Sequence, residues 1–324
     1  MKFKIKLIAG DASFRKYYRI LNKKDKKIIV VSKKEKYKNL LVYSAINDYL
    51  RKNKILTPIT FSKNFSKGIL YVEDFGDLTY HKVLLKKKNK LPEYKKIVDL
   101  LIKIQKIKPK KKIRLLKNKN FYFKRYSEKY LNKESNLFFD WYLPLVLEKK
   151  IFFTLRKKLK KILSNLYKKI YFSNKFFVHR DFHVSNLMKV KKNIGVIDTQ
   201  DAIIGNPAYD LVSLVDDVRI KTNTKLKNKI IKYYLNIASK KYSLDREKFM
   251  NDFNILSIQR NLKIIGIFSR LYKRDKKEKY LKLIPYAWKL LELRLKSKNF
   301  KEIKLILDKM ISKNIRKKKL YEIK

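Results

Sequence analysis

Two short apolar runs near the middle of the chain bracket a segment dense in polar residues, and this pattern limits how the region folds. The runs are Phe176–Val178 and Gly195–Ile197. Apolar runs of this length are typical of short buried strands. The polar residues between them are therefore expected in a loop held by flanking strands. The sequence predicts a hairpin here that presents polar side chains at one end.

The spacing of the polar residues in this segment is specific. His-Arg-Asp occupies positions 179–181, Asn186 follows, and Asp198 comes directly after the second apolar run. The pattern His-Arg-Asp-x-x-x-x-Asn, followed by an Asp at the end of a strand, is typical of the catalytic loop of phosphoryl-transfer enzymes. Each residue alone would be an ordinary turn former. Their conjunction indicates an active site.

The chemistry of phosphoryl transfer assigns a role to each of these side chains. The reaction needs a carboxylate that accepts the proton of the acceptor hydroxyl, and magnesium to bridge the phosphates. Magnesium prefers oxygen ligands. We therefore predict Asp181 as the catalytic base, and Asn186 and Asp198 as magnesium ligands. ATP and Mg²⁺ are the expected cofactors of such an enzyme.

The chain carries a large positive charge. It has 85 basic and 28 acidic residues, a formal net charge of +57, and only 14 of the basic residues are Arg. Specific reading of nucleic acids relies on Arg, whereas this excess of Lys is spread over every segment. Lys enrichment from an AT-rich genome explains the composition, and a selected surface for polyanions is the alternative. We expect no specific nucleic-acid partner.

Three features of the sequence predict the cellular compartment of the protein. There are no cysteines, which excludes disulfides, thiolate metal sites and Cys nucleophiles. The start of the chain, MKFKIKLIAGDASF, lacks the apolar core of a signal peptide. The longest apolar stretch, around Leu137–Leu147, is too short to span a bilayer. These features predict a cytoplasmic protein with no membrane partner.

The local patterns change along the chain. The N-terminal part predicts strands and one helix, at Phe14–Leu21, Lys27–Ser32, Ile69–Val72 and, for the helix, Asn39–Leu50. From Thr79 onward the pattern is mainly helical, with amphipathic segments at Tyr94–Ile107 and Leu147–Leu166 and a further helix at Asp210–Val218. This order suits a small nucleotide-binding lobe followed by a larger helical one.

The catalytic segment resembles that of the aminoglycoside phosphotransferase and choline kinase superfamily, whose loop reads H-x-D-x-H/x-x-x-N and is also fitted by His183. Residues 205–214 resemble the motif G-P-x-x-Y-D-L of the same superfamily. In that motif Asp210 would stiffen the loop, and His179 would likewise be structural.

The resemblance implies an α+β fold of the bilobal, protein-kinase-like kind. It would have a small antiparallel-sheet N-terminal lobe, residues 1–76, that binds the nucleotide. A larger, mainly helical lobe, residues 77–324, would carry catalysis and the substrate.

Four further blocks resemble bacterial anomeric sugar kinases that act on N-acetylmuramate and N-acetylglucosamine. They are GDASFRKYYR at 10–19, LYVEDFGD at 70–77, FDWYL at 139–143 and QRNLKIIGIFSRL at 259–271. This resemblance, which spans nearly the whole chain, implies an ATP-dependent kinase for a small sugar, acting in cell-wall sugar recycling.

The first two blocks suggest nucleotide contacts. Gly10 and Ser13 precede a strand and would form a turn over the ATP phosphates, although a plain turn is equally compatible. Arg15 could reach a phosphate, the alternative being an ordinary surface Arg. Glu73 lies where such kinases join their lobes and hold adenine. Lys33 and Lys34 follow the predicted strand Lys27–Ser32, but neither lies plainly within it. The residue that replaces the usual phosphate-clamping Lys therefore stays open.

The last two blocks suggest acceptor contacts. Asp140 and Trp141 could hydrogen-bond to and stack on a sugar ring, or belong to an aromatic core. Arg260 and Lys263, three residues apart, share a helix face. They could bind the lactyl carboxylate of N-acetylmuramate, and a solvated face is the alternative.

Two other functions stay open at this stage. The same scaffold could phosphorylate choline, an aminoglycoside or another amino sugar, although the scarcity of acids favours a neutral or anionic acceptor over a cation. The chain could also be a basic nucleic-acid-binding protein on a kinase scaffold. The intact Asp181, Asn186 and Asp198 argue against that, and the sequence does not fix an oligomeric state.

Overall fold

The computed structural model describes residues 4–9, 15–21, 27–32, 37–116 and 119–318. Contacts within the chain group it into two compact units, Met1–Lys124 with Phe176–Ile204, and Arg125–Lys175 with Gly205–Lys324. The division into lobes after residue 76 stays a prediction. Within the described ranges, no helix is both long enough and apolar enough to cross a membrane.

The first unit is built on an antiparallel sheet of five strands in the order β1-β2-β3-β5-β4. The strands are β1 Ile5–Ala9, β2 Arg15–Ile20, β3 Lys27–Ser32, β4 Thr60–Asn64 and β5 Ile69–Glu73, with helix α1 Tyr37–Lys52 between β3 and β4. Apolar residues of the sheet and helix form one buried cluster: Val30, Leu40, Tyr43, Leu70 and Val72. The α+β fold class and the antiparallel N-terminal sheet are confirmed.

After β5 the first unit continues with two helices and a hairpin. Helices α2 Tyr80–Leu85 and α3 Leu91–Gln105 are followed by a hairpin of β6 Lys112–Leu116 and β7 Lys119–Tyr122. This hairpin lies in the part of the chain that is predicted to be mainly helical, and the sequence did not predict it. Ile113 is buried between two exposed basic residues, which is the alternation of a strand.

The catalytic segment contains the strands β8 Phe176–Val178, β9 Leu187–Val190, β10 Asn193–Val196 and β11 Ile203–Gly205. The hairpin is formed by β9 and β10, which pair in antiparallel register from Leu187↔Val196. Strand β8 pairs with β11 instead. The predicted hairpin of the two apolar runs is therefore wrong in its first strand. A three-residue run does not specify its partner, because pairing depends on residues distant in sequence.

The second unit is helical. Its α-helices are α4 Glu128–Leu137, α5 Leu143–Val146, α6 Lys149–Tyr167, α7 Ala208–Val215, α8 Thr224–Tyr242, α9 Arg246–Asp275, α10 Ile284–Arg294, α11 Lys301–Met310 and α12 Lys313–Lys317. One π-helical turn, Phe138–Tyr142, lies between α4 and α5.

Helix α9 is the centre of the second unit. The Asp245 side chain caps it by accepting from the Lys248 N–H, and Lys273 and Arg274 lie in its last turn, where they complement the helix dipole. At Gly266 the helix touches the backbone that enters the π-helical turn, so that an added Cβ would lie 2.2 Å from the carbonyl carbon of Leu137. Only glycine allows this approach.

Candidate active site

His179 fixes the start of the catalytic loop. Its ring is 1% exposed. Nδ1 accepts from the backbone N–H of Asp181 at 3.3 Å, and Nε2 lies 3.0 Å from the carbonyl oxygen of Ile197. Since Nδ1 accepts, the proton resides on Nε2, which donates to Ile197. The buried imidazole thus ties the loop to the chain just before Asp198.

Asn186 closes the loop and brings it beside the second strand of the hairpin. Its Nδ2 donates to the carbonyl oxygen of Asp181 at 3.1 Å. Its own carbonyl oxygen accepts from the N–H of Ile197 at 3.1 Å. Asn186 and Asp198 therefore flank the first pair of the hairpin, Leu187↔Val196. The amide nitrogen of Asn186 is occupied, and its Oδ1 makes no hydrogen bond with the described residues.

Two residues that adjoin the predicted catalytic groups, Arg180 and Asp198, have left-handed backbone angles. Asp198 has φ of 64° and Arg180 has φ of 74°. Such angles are uncommon outside glycine and cluster at functional sites. At Asp198 the angle turns the chain out of β10 into a short 3₁₀ turn, Thr199–Asp201.

Arg15 is buried and paired with the carboxylate of Asp198. Its side chain donates from Nη2 to Asp198 Oδ1 at 2.9 Å and from Nη1 to Gln200 Oε1 at 2.8 Å. Only 4% of the residue is exposed, so the surface alternative is wrong. Burial alone would lower the pKa of Arg15, but Tyr17 and Asp198 hold it above its ordinary value.

Arg19, on the same strand, is bound by two carboxylates that follow β5. It donates from Nη2 to Asp74 Oδ1 at 2.9 Å and from Nη1 to Asp77 Oδ2 at 2.8 Å. The hydrogen bonds from Arg19 hold the pKa of Asp77 below its ordinary value. This contact fixes the segment after β5 against the sheet. Arg15 and Arg19 are four positions apart on β2, which places them on the same face of the strand, but the sequence does not show their partners.

A cavity of about 880 Å³ lies in the first unit. Its size is that of a small-molecule site. The sheet, the segment after β5 and the catalytic segment all contribute side chains to its lining. The apolar ones include Ile28, Val72, Phe75, Met188 and Ile197, and the polar ones include Glu73, Asn186 and Asp198. Gly195 lets the Phe75 ring pack on β10, because an added Cβ would lie 2.5 Å from that ring.

Glu73 lies at the end of β5, beside the cavity. Its backbone N–H donates to the carbonyl oxygen of Ile59 at 2.9 Å, and its Oε2 accepts from the N–H of Ile59 at 3.2 Å. The side chain therefore fixes the neighbouring backbone. Gly10 and Ser13 lie outside the described residues.

The block FDWYL forms the π-helical turn of the second unit. Phe139 and Tyr142 are buried, and Tyr142 accepts from the indole N–H of Trp288 at 3.0 Å. Asp140 is exposed and accepts from Arg156 Nη2 at 2.8 Å, while Trp141 is half-buried. The interpretation as an aromatic core therefore fits Phe139 and Tyr142, whereas Asp140 is exposed and Trp141 is partly exposed.

Arg260 and Lys263 are buried on α9, so the solvated-face alternative is wrong. They are 3% and 6% exposed. Both reach the hydroxyl of Tyr209, with Arg260 Nη1 at 3.4 Å and Lys263 Nζ at 3.3 Å. Lys263 also pairs with Glu134 at 2.7 Å. Asp210, next to Tyr209 on α7, is fully buried.

The residues of the first unit suit a magnesium ion that shares its coordination with phosphates. In the described part of the chain, no group of three or more His, Asp or Glu side chains is arranged for a metal. Magnesium at nucleotide sites is usually held by one or two protein oxygens, with phosphates and waters completing its shell. Asn186 and Asp198 both line the cavity, and each has a side-chain oxygen, Oδ1 and Oδ2 respectively, that makes no hydrogen bond with the described residues.

The chain combines an antiparallel sheet, a His-Arg-Asp loop at 179–181 and an Asp198 that follows the β9–β10 hairpin. This combination defines an α+β protein of the kinase-like class. The model of the phosphotransferase enzyme family APH matches residues 4–244. The chain belongs to this family and is a small-molecule kinase.

Several curated relatives are named N-acetylmuramate/N-acetylglucosamine kinase. The protein from Neisseria meningitidis serogroup B is 26% identical over 87% of this chain and 83% of its own length. The protein from Pseudomonas aeruginosa is 28% identical over 88% of this chain and 81% of its own length.

Solved structures share the fold at low identity. A choline/ethanolamine kinase family protein from Mesorhizobium loti has a TM-score of 0.63 and 10% identity, over 94% of this chain and 92% of that one. The ADP-bound aminoglycoside phosphotransferase APH(2'')-Ib has a TM-score of 0.59 and 15% identity, over 90% and 92%. These likenesses confirm the protein-kinase-like fold.

Proposed function

We propose that the protein transfers the γ-phosphoryl group of ATP to the anomeric hydroxyl of N-acetylmuramate or N-acetylglucosamine, in the recycling of cell-wall sugars. The observation that carries the proposal is a set of four relatives named as kinases for these two sugars, 24–28% identical over most of the chain. The family membership supports the phosphotransfer itself.

The nucleotide would occupy the cavity of the first unit. The apolar side chains Ile28, Val72 and Phe75 suit an adenine ring, and Glu73 fixes the backbone beside them. The ADP-bound structure of a fold relative supports ATP as the donor. Phosphate contacts of Gly10, Ser13 and Arg15 stay predictions.

Asp181 would act as the base. As the anomeric oxygen attacks the γ-phosphorus, its proton passes to the Asp181 carboxylate, and the bond from the γ-phosphorus to the β,γ-bridging oxygen breaks to release ADP. An anomeric hydroxyl is more acidic than an ordinary alcohol, so a carboxylate of modest basicity suffices. Two backbone hydrogen bonds support this role, because they fix the loop around Asp181: its N–H donates to His179 Nδ1, and its carbonyl oxygen accepts from Asn186 Nδ2.

Asn186 and Asp198 would hold the magnesium ion of Mg·ATP. When bound, this ion neutralises negative charge on the phosphate oxygens. The hydrogen bond from Asn186 Nδ2 to Asp181 leaves the Asn186 carbonyl oxygen as the available ligand atom. Asp198 contributes the only carboxylate of the pair, and therefore most of the electrostatic attraction.

The proposed acceptor contacts come from residues of the second unit. Asp140 and Trp141 face outward from the π-helical turn and are able to contact a sugar. Arg260 and Lys263 would bind the lactyl carboxylate, which would then share Lys263 with Glu134. Asp210 and His179 are proposed as structural residues. An acid-poor chain suits a neutral or anionic acceptor better than choline or an aminoglycoside.

The decisive experiment is to incubate the protein with Mg·ATP and each sugar, and to locate the phosphate by phosphorus–proton coupling in NMR. We expect coupling to the anomeric proton. The matched control is the methyl glycoside of N-acetylglucosamine, whose anomeric oxygen is blocked and which we expect to stay unphosphorylated.

A product phosphorylated at C6, or turnover of the methyl glycoside, would contradict the anomeric assignment. Absence of product from both sugars, combined with rapid turnover of choline or an aminoglycoside, would transfer the proposal to that acceptor.

A further inference from the structure

Two side chains hold the carboxylate of Asp198 from one side. Arg15 donates from Nη2 to Asp198 Oδ1 at 2.9 Å, and Gln200 donates from Nε2 to the same oxygen at 2.9 Å. Arg15 Nη1 also donates to Gln200 Oε1 at 2.8 Å. The three side chains form a closed ring of hydrogen bonds, which we name the Asp198 clamp.

The two holding residues are firmly embedded. Arg15 and Gln200 are 4% and 5% exposed. The guanidinium carbon of Arg15 lies 5.9 Å from the ring centroids of both Tyr17 and Tyr43, within the range of cation–π attraction. A planar guanidinium with aromatic neighbours and fixed acceptors has little freedom to turn. The clamp is therefore a rigid support for Asp198.

The clamp acts on one oxygen of the carboxylate and not on the other. Both hydrogen bonds end on Oδ1, and Oδ2 makes none with the described residues. The Asp198 side chain is 36% exposed and lines the cavity of about 880 Å³. One oxygen is thus engaged with the protein, while the other is available to a ligand in the cavity.

We propose that Arg15 and Gln200 are positioning residues that fix Asp198 through Oδ1, so that Oδ2 is the oxygen offered to the divalent cation of the bound nucleotide. This inference rests on the function proposed above. Asp198 follows β10 outside the strand, and the hydrogen bonds that its side chain makes with the described residues are those of the clamp, so the clamp sets its orientation. Loss of a group that orients a metal ligand weakens metal binding by roughly 10–100-fold.

The test uses Arg15→Lys and Gln200→Leu in the full chain, with ADP as the probe and no sugar present. Arg15→Lys keeps the charge but loses the planar guanidinium. Gln200→Leu keeps a similar side-chain volume but removes the hydrogen bonds of the amide group to Arg15, Asp198 and Asp201. Calorimetric titrations of ADP at a series of magnesium concentrations give the magnesium concentration that half-saturates the gain in affinity. We expect this concentration to rise about tenfold or more in each variant.

Arg19→Lys is the matched control. Arg19 lies on the same strand and is also bound by carboxylates, but those are Asp74 and Asp77 rather than Asp198. We expect it to leave the magnesium requirement unchanged. Thermal melts of each variant without ligands establish that it is folded, and if Arg15→Lys fails to fold, Gln200→Leu decides.

The outcomes separate the two proposals. Folded Arg15→Lys and Gln200→Leu with the wild-type magnesium requirement would overturn the clamp and leave the kinase function intact. An equal shift in Arg19→Lys would also overturn it, since the effect would then follow from any change at a sheet arginine. If the ADP affinity of the wild-type protein does not depend on the magnesium concentration, the proposed magnesium site itself is refuted.

Discussion

Two aspartates, one in each compact unit, are bound by arginine in different ways. Asp198, in the first unit, receives Arg15 on Oδ1 only, and its side chain is 36% exposed to a cavity. Asp216, in the second unit, is fully enclosed, with a side chain 1% exposed. The first carboxylate is half-satisfied, and the second is complete.

Four hydrogen bonds complete Asp216. Arg294 donates from Nη2 to Oδ1 at 2.8 Å and from Nε to Oδ2 at 3.0 Å. Lys227 donates to Oδ1 at 3.1 Å, and Ser257 donates to Oδ2 at 2.6 Å. Burial alone would raise the pKa of Asp216, but Lys227 and Arg294 hold it below its ordinary value.

The comparison shows how structural and functional carboxylates differ in a chain with few acids. A carboxylate whose oxygens are both bonded inside a core has no bonding capacity left for a ligand, and it links the helices that surround it. A carboxylate held by one oxygen at a cavity wall retains capacity for a cation. We therefore propose that Asp216 serves folding and that Asp198 serves the reaction, and we expect substitutions at the two residues to separate these effects.

The largest effect is expected at Asp198. Asp198→Ala removes the only carboxylate of the proposed magnesium pair, and we expect no measurable turnover, because the charge on the phosphates is then no longer compensated. A coupled assay of ADP release measures it. Asp48→Ala, in the exposed ion pair with Lys63, is the control expected to keep its activity. Turnover near the wild-type rate in Asp198→Ala would contradict the proposed role of Asp198 as a magnesium ligand.

The next effect concerns the proposed base. Asp181→Asn keeps the loop geometry, since the bonds to this residue from His179 and Asn186 go to its backbone. We expect turnover to fall roughly 10²–10⁴-fold, the range for loss of a general base. Steady-state kinetics with saturating ATP and sugar measure it. A fall of only a few-fold would remove Asp181 from the role.

The third effect is on stability. Asp216→Asn leaves Lys227 and Arg294 buried without their carboxylate, and breaking such a buried pair costs about 3–5 kcal/mol. Urea unfolding measures it, with Asp48→Asn as an exposed control expected to change stability by about 1 kcal/mol or less. Equal losses in the two variants would contradict the structural role.

The difference in unfolding free energy between wild type and Asp216→Asn should depend on pH. The folded pKa of Asp216 is lowered, so its contribution to stability is present above the unfolded value and is lost as pH falls below that value. We therefore expect the gap in unfolding free energy between wild type and Asp216→Asn to narrow as the pH is lowered through about 4. A gap that widens in acid would contradict the lowered pKa.

The smallest effect is expected with nucleic acids. The excess of Lys is spread along the whole chain, so we expect only weak, sequence-independent binding that falls steeply with salt. Fluorescence anisotropy with DNA and RNA of several sequences measures it. Tight binding of one sequence at physiological salt would reinstate the nucleic-acid alternative.

Much of the fold could be predicted from the sequence where the signal is local. Strand β3 has the predicted bounds, and helix α1 contains the predicted Asn39–Leu50. The pairing of β8 with β11 and the hairpin β6–β7 were missed. Short strands carry weak periodicity, and their partners are determined by contacts distant in sequence.

The site divides in the same way. The spacing of Asp181, Asn186 and Asp198 is readable because these residues lie within one short segment. The contact of Arg15 with Asp198 spans 183 positions, and no local pattern announces it. Helical spacing placed Arg260 and Lys263 on one face, but it could not show that this face is buried, because burial depends on the other helices.

The most direct test of the proposed site is a calorimetric titration of Mg·ATP into wild-type protein, Asp181→Asn and Asp198→Ala. If Asp198 holds the cation and Asp181 only accepts a proton, wild type and Asp181→Asn bind Mg·ATP with nearly equal affinity, whereas Asp198→Ala binds it much more weakly. Unchanged affinity in Asp198→Ala would contradict the assignment of Asp198 as the metal ligand.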